Sequence, residues 1–169
     1  MGWRRRLRYV ALLTVLPIVP ALVWWSLRDR VTDPPPVRLE VSLSARELSV
    51  VENGEVVRTY SIAVGQPRHP TPTGRFRTGD IVWNPSWRPP DVDWARDETY
   101  QPPGAPANPM QGLKIYFQAP DYFIHGTNDP DSIGEAASHG CIRMTASDAI
   151  HLARRIIRAG GSVALIITD

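Results

Sequence analysis

The sequence predicts a mainly β domain with one amphipathic helix near its C-terminus, carried behind an N-terminal membrane helix. Three observations predict it. Apolar and polar residues alternate over Leu39, Val41 and Leu43, and strand-like runs flank Asn53-Gly54. From Ala146 to Ala159 the apolar residues recur instead at helical spacing. The first 30 residues join a cluster of arginines to an almost wholly apolar run. At 169 residues, 43% hydrophobic and 21% charged, the chain is long enough for one domain with a moderate core. The same fractions exclude a collagenous, coiled-coil or wholly disordered chain.

The N-terminal segment is a basic stretch, Met1 to Arg8, followed by apolar residues from Tyr9 to Leu27. Nineteen residues of helix span roughly 28 Å, close to the ~30 Å hydrocarbon thickness of a bilayer. The preceding arginines place the N-terminus in the cytoplasm, and Trp24 and Trp25 fall at the far interface. Two readings stand, an uncleaved anchor and a cleaved signal, and both export the remainder. The organisation is therefore a signal-anchor or transmembrane segment over 1–30, a proline-rich linker over 31–37 and a domain over 38–169. The pI near 9.0 belongs to the first segment, because residues 31–169 carry 13 basic and 16 acidic side chains. A mildly acidic domain disfavours nucleic acid as a partner.

Within the domain, Leu48 to Glu52 and Glu55 to Val64 form a hairpin about Asn53-Gly54. Phe76 to Trp83, Leu113 to Phe117 and Tyr122 to Ile124 read as further strands. Residues 84–112 hold seven prolines with Trp87, Trp94 and Tyr100. A loop of that length is either a binding lid or a packed Ω-loop. Thr145 caps the helix, whose apolar face comprises Ala146, Ala149, Ile150, Ala153, Ile156 and Ile157. Gly160-Gly161 ends it, and Ser162 to Thr168 is a closing strand.

The chemistry concentrates between Tyr122 and Met144, where two histidines, three glycines and the only cysteine lie together. A free thiol is largely protonated at neutral pH, so a nucleophilic Cys141 needs a base, and His125 and His139 are the candidates. Gly140 permits a strained turn before the thiol, from which backbone amides can face an oxyanion. Two other readings of the same residues stand. Cys141 can be a small buried hydrophobe. His125, His139 and Cys141 can be zinc ligands, although their spacing fits no common ligand set and His69 is remote in sequence. A lone cysteine excludes a disulfide framework and a multi-cysteine zinc finger. His151, near Arg154, Arg155 and Arg158, reads as a solvated side chain, and His69, in a proline-rich turn, either edges a groove or, more simply, is exposed. Trp83, Trp87 and Trp94 either cover a groove or pack the long loop onto the sheet.

His125-Gly-Thr followed by Ser138-His139-Gly140-Cys141-Ile142-Arg143-Met144 closely resembles the signature of the L,D-transpeptidase catalytic domain, the YkuD domain. The likeness runs over roughly residues 38–168 and takes in the opening hairpin, Thr71-Pro72-Thr73-Gly74, Ser132-Ile133-Gly134 and the final helix and strand. It implies a mixed β-sandwich with a cysteine site in a groove. It implies peptidoglycan acyl transfer, in which the bond between the third residue and D-Ala of a tetrapeptide stem is cleaved through a thioester. Carried over by position, Cys141 is the nucleophile, His125 the general base, and the Gly126 carbonyl orients the ring. His139 lines the site and assists proton transfer or touches substrate. The amides of Gly140 and Cys141 hold the oxyanion, and Ser138 and Arg143 stand on the substrate side, the arginine binding a stem carboxylate. No cofactor and no metal are implied. The partners implied are peptidoglycan stem peptides and, through the N-terminal helix, the membrane, with the domain in the periplasm or extracytoplasmic space. Alternative outcomes of the same site are an L,D-carboxypeptidase or endopeptidase that uses water, and a lipoprotein-to-wall transferase. A non-catalytic wall-binding module is the alternative of another class.

Overall fold

The computed structural model describes residues 37–169. The expected membrane helix over 1–30, and the expected linker as far as Pro36, lie outside the described residues. Among the described residues no helix is long and apolar enough to cross a membrane.

Alternation works as expected in β1 (Val37–Ser42) and β2 (Glu47–Glu52), which bury Leu39, Val41, Leu48 and Val50. β2 turns into β3 (Glu55–Ser61) through Asn53 and Gly54, both at positive φ, as a type I′ hairpin requires. The final strand, β11 (Ala164–Thr168), lies parallel to β1, and β5 (Gly74–Arg77) pairs antiparallel on its other side. The resulting five-stranded sheet has the order β3-β2-β1-β11-β5.

The expected strand Phe76–Trp83 is in fact two strands in two sheets, β5 and β6 (Ile81–Trp83). The chain changes sheet at a hydrogen-bonded corner. The Thr78 amide donates to the Val163 carbonyl, the Val163 amide donates to Thr78 Oγ1, and the Gly79 amide donates to the Tyr116 carbonyl. β6 then edges a four-stranded sheet of order β10-β8-β7-β6, with β7 at Gln111–Gln118, β8 at Tyr122–Gly126 and β10 at Ile142–Met144. The hairpin arm expected to run to Val64 stops at Ser61. Val64 instead opens β4 (Val64–Gly65), which pairs with β9 (Ala136–Ser138) in a small third sheet.

The helix, α1, covers Ala146–Arg158, and Thr145 caps it by accepting from the Asp148 amide. Its buried stripe is Ala149, Leu152, Ala153 and Ile156. Leu152 takes the place expected of Ile157, which is 49% exposed, because a stripe of i, i+3, i+4 and i+7 from Ala149 ends at Ile156. α1 packs on β7 and β8. Side chains of both larger sheets and of α1 meet in one continuous core. Among the described residues the architecture is mainly β with one α-helix, as the sequence predicts for this domain.

Candidate active site

Parallel pairing of β8 with β10 sets Arg143 opposite His125 and Met144 opposite Gly126. Cys141 immediately precedes β10, so the same register carries it to the mouth of β8. His125 and Cys141 both line one cavity of about 560 Å³. β10 is fixed from its other side by Ala63 and Arg143, whose amides and carbonyls bond reciprocally at 2.9 Å.

His125 is 3% exposed. Its Nδ1 lies 2.9 Å from the Gly126 carbonyl oxygen. A carbonyl only accepts, so Nδ1 carries the proton and Nε2 keeps its lone pair. Burial pushes the ring pKa down to about 4, against the Gly126 and Pro109 carbonyls, which favour the cation; Arg143 and Lys114 push it down further. Gly126 is confined: a Cβ there would fall 2.1 Å from the Gln111 carbonyl oxygen and 2.8 Å from Ala146 Cα.

Burial likewise pushes the Cys141 thiol up to about 11, more than the Phe123 backbone, Arg143 and Lys114 bring it down. The resting thiol donates to the Asp121 carbonyl at 3.5 Å. Cysteine and histidine thus both rest uncharged, and the thiol's hydrogen bond runs to the backbone.

The turn before Cys141 is held by Ser138, whose hydroxyl donates to the Cys141 carbonyl at 2.6 Å and accepts from the Gly140 amide at 3.0 Å. Gly140 has φ +109°, and a Cβ on it would lie 2.7 Å from the Tyr122 ring. The Gly140 amide, expected to face an oxyanion, donates to Ser138 in the resting turn. Ser138, expected on the substrate side, is 1% exposed and lines the cavity. The Cys141 amide has no partner among the described residues.

His139 lies under the long loop, its imidazole stacked on the Trp94 indole. His69, remote in sequence and read as either exposed or at the edge of a groove, is half-buried with its ring 4.9 Å from His139. Burial, then His69, then Arg143 lower the His139 pKa. Trp94 belongs to a short 3-10 turn, Asp93–Ala95, within residues 84–112. The loop is a packed unit and a cavity wall at once. Asn108 is wholly buried, donating to the Pro85 and Pro102 carbonyls and accepting from the Met110 amide. Trp87 and Trp94 line the cavity, whereas Trp83, 47% exposed on β6, does not. His151, expected to be solvated, is half-buried, and its Nδ1 is 2.7 Å from the Tyr60 hydroxyl. Among the described residues no three His, Cys, Asp or Glu side chains converge on a metal position.

Among the cavity residues that the sequence reading did not single out, one stands beside His125. Lys114 sits opposite His125 on β7 and lines the cavity. Its signal was compositional, the only lysine beside 18 arginines.

Known proteins share this fold. The profile of YkuD, the L,D-transpeptidase catalytic domain, matches residues 36–163. A Bacillus licheniformis protein bearing the name L,D-transpeptidase YkuD is 37% identical over 118 residues, 70% of this chain and 59% of its own. Bacillus subtilis YqjB, also named as an L,D-transpeptidase, is 33% identical over 121 residues, 69% of this chain and 64% of its own. The chain therefore spans about three-fifths of the length of these relatives. Among solved structures, an L,D-transpeptidase from Mycobacterium smegmatis superposes with a TM-score of 0.59 at 21% identity, over 80% of this chain and 59% of its own. One from Enterococcus faecium gives 0.61 at 17% identity, over 79% and 50%. At such identities the two structures speak for the fold, and the profile and the Bacillus relatives for the family. The chain belongs to the L,D-transpeptidase catalytic domain family.

Proposed function

We propose that this chain is a cysteine acyltransferase of peptidoglycan stem peptides, with Cys141 as nucleophile and His125 as base. One observation carries the reading: His125 and Cys141 share a cavity, and the Gly126 carbonyl holds the imidazole with Nε2 unprotonated. His125 enters the reaction neutral. As the carbonyl of the third stem residue fills the cavity, the thiol leaves the Asp121 carbonyl and passes its proton to Nε2 while sulfur attacks. Such base assistance accelerates a step by ~10²–10⁴. The Cys141 amide, free of other partners, is the first oxyanion donor, and the Gly140 amide joins it if Ser138 yields. The imidazolium then protonates the departing D-Ala amine, and the thioester passes to an incoming amine that His125 deprotonates. Ser138 positions the turn, His139 and Trp94 wall the cavity, and Arg143 binds a stem carboxylate. The site works on the cell wall, with residues 1–30 as anchor or export signal for a domain over 38–169.

The test uses the full chain with a disaccharide-tetrapeptide, reading intact protein mass and released D-Ala. A thioester adduct on the wild type and none on Cys141→Ala is the expected result. Addition of an acceptor stem then separates crosslinked product from hydrolysed tripeptide by mass. Folded wild-type protein that forms no adduct and releases no D-Ala overturns the reading in favour of a wall-binding module.

A further inference from the structure

The cavity carries the opposite charge from the domain around it. Residues 31–169 hold three more acids than bases, yet the cavity is lined by Arg88, Lys114 and Arg143 against Asp121 alone. Two of these cations are placed by strand register. Lys114 on β7 and Arg143 on β10 each pair with His125 on β8, so the three form one row across the sheet. Directly opposed residues share a face, and all three face the cavity. Neither cation has a carboxylate within salt-bridge distance among the described residues. Asp129 acts on Arg143 only from farther off.

The Lys114 ammonium is also held in place. Its nitrogen lies 4.8 Å from the centroid of the Tyr116 ring and 5.4 Å from that of Phe123. Those two rings meet edge to face, 5.7 Å apart. An ammonium seated on two ring faces costs less rotamer freedom on binding than a free lysine. Two cations with no carboxylate at salt-bridge distance among the described residues flank one imidazole and oppose its protonation, an arrangement that a bound anion relieves.

We propose that Lys114 is a specificity-determining residue which, with Arg143, receives a carboxylate of the donor stem peptide. The proposal rests on the acyl-transfer reading above and deepens it. A tetrapeptide stem offers three such groups: the terminal carboxylate of D-Ala, the side-chain carboxylate of a diaminopimelate third residue, and the α-carboxylate of isoglutamate. All three share the chemistry that the row recognises, and selective amidation tells them apart.

The experiment measures kcat/KM for D-Ala release by the full chain from the free-acid donor and from three donors amidated at one carboxylate each. Wild type is expected to lose about tenfold or more on one amidated donor, with the other two within about twofold, as loss of a charge-assisted hydrogen bond implies. Lys114→Met removes the charge and keeps the stem length. It is expected to collapse that preference by raising KM on the free acid rather than lowering kcat, and Lys114→Arg to retain it. In wild type the preference is expected to shrink in high salt, which tests the charge without any substitution. Wild type indifferent to amidation at all three positions overturns the proposal, as does Lys114→Met slowing every donor by the same factor. Wild type silent on all four donors overturns the acyl-transfer reading itself, and the proposal with it.

Discussion

The indole of Trp94 lies flat on the imidazole of His139, ring centroids 3.9 Å apart and planes 10° from parallel. The stack ties the proline-rich loop to the residue two places before the thiol. It also shields the imidazole, whose pKa is lowered chiefly by burial. Trp94→Ala is therefore expected to move the His139 pKa up toward 6.5, read from its ring-proton shift in an NMR titration. A His139 titration unchanged by the substitution would refute the shielding role.

Stability should fall on both sides of a neutral plateau, for two different residues. His125 is held neutral with its pKa near 4, whereas the unfolded imidazole takes a proton near 6.5. Between those values the unfolded chain binds more protons, so stability is lost as pH falls from about 6.5 toward 4, on the order of 3 kcal/mol in all. Cys141 has the opposite sign. Its thiol keeps its proton to about 11, while the unfolded thiol ionises near 8.5, so stability declines as pH rises through that interval. Urea melts across pH should show both limbs. His125→Gln should flatten the acid limb and Cys141→Ala the alkaline one, and limbs that persist in these variants would assign the losses elsewhere.

Ser138 is buried and makes two hydrogen bonds across one turn. Ser138→Ala leaves the Gly140 amide and the Cys141 carbonyl without that partner, a loss of about 1–3 kcal/mol. The expected readout is a lower denaturation midpoint with an unchanged m-value. A variant as stable as wild type would show that the turn is held by other contacts.

Gly126→Ala is expected to be more damaging than its single methyl suggests. The new Cβ meets backbone atoms, the Gln111 carbonyl at 2.1 Å and Ala146 Cα at 2.8 Å. Relief requires β7 or the start of α1 to move. A loss of about 3 kcal/mol or more, or insoluble protein, follows from such overpacking against backbone. A soluble variant with wild-type stability would contradict the close approach of these three elements.

The hairpin, the helix cap and the grouping of His125, His139 and Cys141 within one short stretch were legible in the sequence, because each rests on local rules. Asn-Gly demands a particular turn, Thr145 has a donor within three residues, and the His-Gly-Thr and Ser-His-Gly-Cys runs are contiguous. The split of Phe76–Trp83 was not legible. Its cause is a corner whose partners, Tyr116 and Val163, lie far along the chain. The short strands β9 and β10 escaped for the same reason, since each is three residues long and gains its pairing only from distant segments.

Sequence alone determined which residue types can do chemistry here and the family signature they compose. It determined the periodicities that make a mainly β domain with one helix. Tertiary structure decided what those residues face. Parallel register placed Lys114, His125 and Arg143 in one row. Burial left the His125 and Cys141 pair uncharged. Folding drew His69 and Trp94 onto His139 and tied the Ser138 hydroxyl to the turn that carries Cys141. The physical reason is common to all of these. Charge state and contact depend on solvent exclusion and on neighbours brought from other strands, and neither is encoded in the spacing of residues along a chain.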